Sequence, residues 1–240
     1  MVGHRRPFPK MVIGGTTPLM LAGCEERLSA VHPAGPAADI IATLWWVMLG
    51  GAAAILLLVA VLLMLAFRRG EEASGEEASG EGADRRRETV WIKGLGLGFT
   101  MTVLAALTVW GLWIGERLLP RPGPDVVAVE AEGRQWVWRF TYPDAPGRVT
   151  ENMLHIPARR PVDVRITSAD VIHSFWVPRL AGKLDAIPGH VNVLRIEAWE
   201  PGRYAGVSAE FSGAGYRRHH FTVVAHDAAA WDAFLAGETP

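Results

Sequence analysis

Cysteine is almost absent from this sequence. The chain has one cysteine in 240 residues, which excludes an intrachain disulfide framework, a Cys₄ or Cys₂His₂ zinc site and a Cys-x-x-Cys redox motif. An excess of charge of one sign is also lacking, because 24 lysines and arginines stand against 25 aspartates and glutamates. Because the sequence has no excess of basic residues, we expect no binding to nucleic acid. The abundant class is apolar, at 50% of the residues.

Two long stretches hold the apolar excess. The segment from Ile40 to Phe67 has no charged residue, and about 20 apolar residues are enough to cross a bilayer core. The segment from Gly94 to Gly115 is also uncharged and reaches that length. We predict transmembrane helices at 39–67 and 94–116. Two buried core helices are the alternative, but the remaining polar chain is too small to cover them on all sides.

The segment 68–93 between these spans is rich in glycine, serine and glutamate and repeats the unit EEASG. This composition predicts a solvated linker that buries nothing. Its basic residues lie close to the two membrane ends, at Arg68, Arg69, Arg85, Arg86, Arg87 and Lys93. Because cytoplasmic loops carry the excess of lysine and arginine, we predict a cytoplasmic linker and place both termini on the exported side.

The N-terminus has the pattern of a secretory signal. Residues 1–23 begin with a basic head, continue with a short apolar segment and end in Leu-Ala-Gly before Cys24. This resembles a bacterial lipoprotein signal, which implies cleavage before Cys24 and lipidation of its sulfur. Residues 24–38 would then form an exported N-terminal segment. A chance cysteine is the alternative, because two threonines and a proline interrupt the apolar segment.

From about residue 125 to residue 240 the apolar period changes to two. Alternation of this kind predicts strands, and the intervening pieces are rich in turn residues. The strand-like segments are 136–142, 162–166, 191–196 and 221–225. This spacing predicts a small antiparallel sandwich or barrel. The final segment DAAAWDAFLAGE starts with Asp227, a good cap, and predicts a short closing helix.

Three motifs follow the two spans in order: EGRQWVWRFTYP, DVIHSFWVPRLAGKLDAIPGHVN and GVSAEFSGAG. With this topology the chain resembles subunit II of the haem-copper respiratory oxidases over nearly all of its length after residue 25. The resemblance implies an all-β cupredoxin-like Greek-key sandwich at 125–240 on the periplasmic side of the bacterial inner membrane. It also implies oxidase subunit I, and with it subunit III, as partners.

In the cytochrome c oxidases of this family the exported domain carries a binuclear copper centre, CuA, which receives electrons from cytochrome c. Read onto this sequence, the family's ligand positions are His173, Ser208, Glu210, Ser212, Tyr216 and His219. His173 and Glu210 are retained, whereas serines replace both cysteines, tyrosine replaces a histidine and His219 replaces a methionine. Thiolates hold and bridge copper, whereas a neutral hydroxyl is a hard, weak ligand. We therefore expect no binuclear centre, no bound cofactor and no catalytic residue in this chain.

Subunit II of the quinol oxidases departs from the copper pattern in the same way. It has a serine at each cysteine position, an aromatic residue in place of the histidine and often a lipidated N-terminus. We therefore predict a non-catalytic subunit of a proton-pumping terminal oxidase, with haem and copper in subunit I. The motifs around His173 and Glu210 are nearer to the copper-binding branch, so the electron donor, quinol or cytochrome c, stays open.

Two alternatives follow from the same residues. One is a divergent cytochrome c oxidase subunit that receives electrons by another route. The other is an exported module that binds copper through histidines, with His173, His219 and Glu210 as a thin ligand set. Ordinary hydrogen-bonding histidines are the simpler interpretation of these side chains.

Two further positions are ambiguous. The segment around Trp136 and Trp138 resembles the family's electron-entry surface, but without a metal beneath it we favour core packing and docking. Glu88 matches an acid that the family places near the mouth of a proton-uptake channel, and an acid at a membrane boundary suits proton capture. The alternative is a solvated carboxylate paired with Arg85 or Arg87.

Overall fold

The structure, a computed structural model, describes residues 26–72 and 81–238. A short 3₁₀ turn, Glu26–Leu28, comes first. A π-helical segment, Thr89–Phe99, joins the second and third helices without a break. The α-helices are α1 Pro36–Glu72, α2 Glu81–Glu88, α3 Thr100–Leu118 and α4 Ala228–Ala236.

Two of the helical stretches are long and apolar enough to cross a membrane. They run over Pro36–Arg68 and Arg85–Leu118, and almost none of their apolar length is buried against the rest of the chain. At ~1.5 Å per residue α1 is about 55 Å long, whereas a bilayer core is about 30 Å thick. Both helices therefore extend past the predicted spans into 68–93, where arginine and glutamate are good helix formers. The linker is thus partly helical, and its residues 73–80 lie outside the described part.

The exported domain is a sandwich of two five-stranded sheets. The first sheet has the order β3-β2-β1-β5-β8 and the second β4-β10-β9-β6-β7. The strands of the first sheet are β1 Val127–Arg134, β2 Val137–Thr141, β3 Val149–Glu151, β5 Val162–Ser168 and β8 Asn192–Ile196. Those of the second are β4 Met153–Pro157, β6 His173–Trp176, β7 Leu184–Ala186, β9 Gly202–Ser208 and β10 His220–His226.

The sheets are mixed, which corrects the prediction of a purely antiparallel domain. In the first sheet β1 runs parallel to β5, with Val127 opposite Val162. In the second sheet β10 runs parallel to β4, with Thr222 opposite Met153. Both pairs join strands that are distant in sequence, because the chain crosses to the other sheet between them. The predicted cupredoxin-like sandwich behind two long apolar helices is confirmed.

Aromatic rings fill the space between the sheets. Trp138 is fully buried, and its ring centroid lies 5.5 Å from that of Phe175 and 5.7 Å from that of Phe221. Phe140, also fully buried, lies 5.7 Å from Phe221. Trp136 departs from the predicted alternation and is 39% exposed. It precedes β2, at the end of the sandwich, and its ring lies over Gly215 of the opposite loop.

The start of α1 is joined to the exported domain by backbone hydrogen bonds. The amide of Ala34 donates to the carbonyl of Arg179 at 2.7 Å, and the carbonyl of Ala34 accepts from the amide of Trp199 at 2.9 Å. One turn later the amide of Ala38 donates to Leu180 at 3.3 Å. Between them Gly35 lies so close that a Cβ there would be 2.0 Å from the carbonyl oxygen of Glu197.

The predicted closing helix is α4. The side chain of Asp227 accepts a hydrogen bond from the amide of Ala230 at 2.8 Å, which is the expected N-cap geometry. The helix ends at Gly237, whose φ of 93° favours glycine. Trp231 and Phe234 on its inner face are buried. The helix therefore covers one part of the second sheet.

A pair of buried histidines lies beneath α4. Nδ1 of His155 and Nε2 of His226 are 2.7 Å apart, and the ring of Phe234 stacks on His155 at 4.3 Å between centroids. Burial, together with the smaller effects of His226, Arg148 and Arg203, lowers the pKa of His155 to about 4. Burial also lowers the pKa of His226, although Asp227 opposes this shift. Both imidazoles are therefore neutral in the native state near neutral pH.

We expect this pair to make the stability of the domain depend on pH. The native pKa of His155 is lower than its ordinary value of 6.5, so as the pH falls below about 6.5 the unfolded chain binds the proton first. Stability is then lost between about pH 6.5 and pH 4, by on the order of 2 kcal/mol from this pair. Urea denaturation of the full chain in detergent across this range measures the loss. His155→Gln should flatten the profile, and an unchanged profile would contradict the assignment.

Candidate functional site

Three loops meet at the end of the sandwich where the motifs place the degenerate copper ligands. The amide of Gln135, in the β1–β2 turn, donates to Oδ2 of Asp170 at 2.8 Å. Its side-chain Nε2 donates to the carbonyl of Ser212 at 2.7 Å, and Nε1 of Trp136 donates to the same carbonyl at 3.2 Å. One polar residue thus ties together the loop before β6 and the loop after β9.

Two histidines occupy the buried part of this site. His173 begins β6 and His219 directly precedes β10, and both are fully buried. Their ring centroids are 4.9 Å apart, with the rings nearly perpendicular. The indole of Trp138 stacks on His219 at 5.3 Å. The next residue, His220, is the first of β10 and is exposed.

Asp170 orients His173. Oδ1 of Asp170 lies 2.8 Å from Nε2 of His173. Burial acts to raise the pKa of Asp170, but hydrogen bonds from His173, Val171 and Gln135 outweigh it and lower the pKa. An ionised Asp170 favours the proton on Nε2 of His173, which leaves Nδ1 as a lone pair. This nitrogen is buried and has no hydrogen-bond partner among the described residues.

His219 is a neutral imidazole whose ring nitrogens form no hydrogen bond of standard geometry with the described residues. Burial is the main cause that lowers its pKa to about 4, and the neighbouring His173 acts in the same direction, while the backbone of Val137 and the Asp170 carboxylate oppose the shift. Neither ring nitrogen of His219 forms a hydrogen bond within residues 26–72 and 81–238. The ring is therefore held by its contact with Trp138 and by packing.

The two serines lie where the family's thiolates would be, and both are buried. Ser208 ends β9, where its hydroxyl accepts from the amide of Ser174 at 3.3 Å and its amide donates to the carbonyl of His219 at 2.9 Å. The hydroxyl of Ser212 has no partner in the described part of the chain. Hydroxyls do not ionise at neutral pH and do not bridge copper ions as thiolates do. The residues present therefore do not fit a binuclear copper centre.

The remaining ligand positions offer little in place of the thiolates. Glu210 is half-buried, and its Oε1 accepts from the amide of Phe211 at 3.0 Å. Tyr216 lies in a 3₁₀ turn with its ring 5.2 Å from that of Phe211. Within the described ranges no three or more histidine, cysteine, aspartate or glutamate side chains form a group that could hold a metal ion. The histidine pair therefore has no third ligand of these types.

Two further predicted positions are Cys24 and Glu88. Cys24 lies outside the described residues. Glu88 is the last residue of α2, is exposed and forms no ion pair with any residue that the structure describes. Pairing with Arg85 or Arg87 is therefore not observed. The role of Glu88 in proton uptake stays a prediction.

Comparison with known proteins identifies the family. The family model described as the periplasmic domain of cytochrome c oxidase subunit II matches residues 147–227. The cytochrome c oxidase subunit 2 of Alkalihalophilus pseudofirmus is 29% identical over 91% of this chain and 65% of its own length. The ubiquinol oxidase subunit 2 of Acetobacter aceti is 30% identical over 89% of this chain and 70% of its own length. The chain belongs to the subunit II family of the haem-copper oxidases.

Family members named for quinol oxidases and for cytochrome c oxidases match this chain at similar sequence identity. The quinol oxidase subunit 2 of Bacillus cereus is 29% identical over 90% of this chain and 75% of its own length. The crystal structure of the periplasmic domain of cytochrome oxidase subunit II of Bradyrhizobium japonicum has 25% identity and a TM-score of 0.46, covering 48% of this chain and 94% of that one. In terms of the relatives' own lengths, this chain spans less than two thirds of the Alkalihalophilus protein. It spans more than two thirds of the Bacillus cereus and Acetobacter aceti subunits.

Sequence reasoning predicted six ligand positions for this domain but gave no role to Asp170 or Gln135. Asp170 precedes His173 by three residues, so the spacing was a signal for the contact between their side chains. Gln135 reaches Ser212 across 77 positions, and no local pattern indicates such a contact. The domain that carries this site follows two membrane-length helices, as expected for a membrane protein with an exported C-terminal domain.

Proposed function

We propose that this chain is the non-catalytic subunit II of a proton-pumping terminal oxidase of quinol type, in the bacterial inner membrane. One observation carries the proposal: buried hydroxyls stand at both thiolate positions, Ser208 and Ser212. A centre that accepts single electrons from cytochrome c would need both thiolates. Electrons from quinol would then enter subunit I directly, with oxygen reduction at the haem and copper of that partner.

The arrangement of the site supports a structural role for this end of the domain. His173 is held by Asp170, His219 packs on Trp138, and Gln135 ties the loops together. Each of these contacts joins protein groups of this end of the sandwich directly to one another. Trp136 and Phe211, exposed by 39% and 69%, provide apolar surface at this end for contact with a partner subunit.

The test is oxygen consumption by the purified whole complex, offered ubiquinol and reduced cytochrome c in parallel, with metal analysis of the same sample. We expect turnover with ubiquinol alone, because the entry centre for cytochrome c lacks its ligands. Copper should match the single ion of the haem-copper centre in subunit I. A Ser212→Ala complex serves as a control and should retain full quinol oxidation.

Turnover with reduced cytochrome c would contradict the proposal and favour the divergent cytochrome c oxidase subunit. Copper beyond the single ion of subunit I would also contradict it. If His173→Ala removed that extra copper, the site would be a histidine-based copper module. The unpartnered nitrogens of His173 and His219 are the observation that supports this second candidate.

A further inference from the structure

A groove of about 220 Å³ lies where α1 begins, α3 ends and β8 ends. This volume corresponds to roughly seven water molecules in the liquid, which suits a lipid headgroup and the first atoms of its chains. Six apolar residues line it: Pro36, Ala37, Ile40, Leu118, Leu119 and Ile196. Its walls therefore come from both membrane helices and from the exported domain.

The groove lies at the level of the outer headgroups. Trp45, Trp46 and Trp113 are exposed on the two helices, and exposed tryptophans of membrane helices sit at the interface. Arg117 follows Trp113 by four residues, about 6 Å along the helix axis. The headgroup layer extends roughly 5–8 Å beyond the hydrocarbon core. Arg117 is therefore placed at the depth of lipid phosphates.

Ion pairs inside the chain neutralise two of the three arginines of the groove. Arg121 lies 3.3 Å from Glu116, and Arg195 contacts Asp163 at 2.7 and 2.9 Å. Each of these two arginines is therefore already paired with a carboxylate of this chain, closely in the case of Arg195 and at the exposed surface in the case of Arg121.

The two other charged residues of the groove have no ion-pair partner among the described residues. The guanidinium of Arg117 stacks on the ring of Trp113 at 3.6 Å, which leaves its N–H edge free to donate. Glu197 is half-buried on the strand side. Among the described residues, the groove thus presents one cation and one anion without an ion-pair partner, beside apolar side chains.

We propose that this groove binds the headgroup of phosphatidylethanolamine, with Arg117 donating to the phosphate and Glu197 accepting from the ammonium group. The zwitterionic headgroup matches the two opposite charges, whereas phosphatidylglycerol would bring a net negative charge beside Glu197. Phosphatidylcholine has no N–H to donate to the carboxylate. The bound lipid seals the junction between the membrane helices and the sandwich.

The test uses the whole complex in nanodiscs with equal parts of phosphatidylethanolamine, phosphatidylcholine and phosphatidylglycerol. Native mass spectrometry counts the lipids retained on this chain after release from the disc. We expect one phosphatidylethanolamine, and about a tenfold lower retention in Arg117→Gln, since a charge-assisted hydrogen bond is lost. Glu197→Gln should retain a lipid but lose the preference for the ethanolamine headgroup. Arg218→Gln, at the opposite end of the sandwich, is the matched control and should behave as wild type.

Equal retention in Arg117→Gln and Arg218→Gln would overturn the proposal. So would a wild-type chain that retains the three lipids without preference. A photo-crosslinker at Ala37 adds an independent readout: an adduct with lipid supports the proposal, and an adduct with another subunit shows that protein fills the groove and overturns it. Because both charged side chains are at the surface, complex assembly by gel filtration should be unchanged.

Discussion

Replacing Trp138 with alanine should lower the free energy of unfolding of the exported domain by about 3–5 kcal/mol. The indole is fully buried and lies within 6.5 Å, between ring centroids, of Phe140, Phe175, His219 and Phe221. Its removal leaves a cavity that rings on both sheets cannot close. Pulse proteolysis of the full chain in detergent and urea, read by a C-terminal tag, gives the unfolding midpoint of the strand domain.

Trp138→Phe is the matched control. Phenylalanine keeps most of the apolar contact and removes an indole N–H that has no hydrogen-bond partner in the described residues. Because the loss of an unsatisfied polar group offsets part of the lost packing energy, the free energy of unfolding should change by no more than about 1.5 kcal/mol. Equal destabilisation by both substitutions would contradict this argument, because phenylalanine would then retain none of the packing energy of the indole.

Replacing Gly35 with alanine should detach the start of α1 from the exported domain. The added Cβ would lie 2.0 Å from the carbonyl oxygen of Glu197 and 3.3 Å from that of Leu180. Both atoms belong to the backbone, so no side-chain rotation relieves the overlap. The hydrogen bonds of Ala34 with Arg179 and Trp199 must then lengthen or break.

Hydrogen exchange of the purified complex measures this effect. The amides of Ala34 and Trp199 should lose at least about tenfold in protection, which corresponds to ~1.4 kcal/mol for opening. Gly51→Ala is the control, because nothing lies within 4 Å of a Cβ there. Unchanged protection in Gly35→Ala would contradict this prediction, because it would show that the backbone near Gly35 can move to accommodate a Cβ with little loss of free energy.

The architecture followed from local signals in the sequence. Uncharged runs longer than a bilayer core indicated the two helices, and period-two alternation indicated strands such as β1 and β5. The parallel pairing of these strands was missed, because each strand alternates in the same way whichever direction its neighbour runs. Helix ends were also misplaced, since charged helix-forming residues continue α1 to Glu72 beyond the apolar run.

The contacts of the site could not be predicted from the sequence. Motif spacing predicted six degenerate ligand positions, and the chemistry of serine predicted that two of them do not bind copper. The His155–His226 pair had no signal, because the two residues are 71 positions apart and meet only when β4 pairs with β10. Trp136 was assigned to the core by alternation, but its strand begins only at Val137.

The joint at Gly35 has a mechanical consequence. Backbone hydrogen bonds clamp the first turn of α1 to the base of the sandwich, and α3 enters β1 after a connection of only eight residues, 119–126. The first turn of α1 and the base of the sandwich are therefore coupled through backbone atoms. A tilt of α1 that preserved these hydrogen bonds would turn the domain with it, and the largest displacement would fall at the opposite end, where Trp136 and Phe211 are exposed.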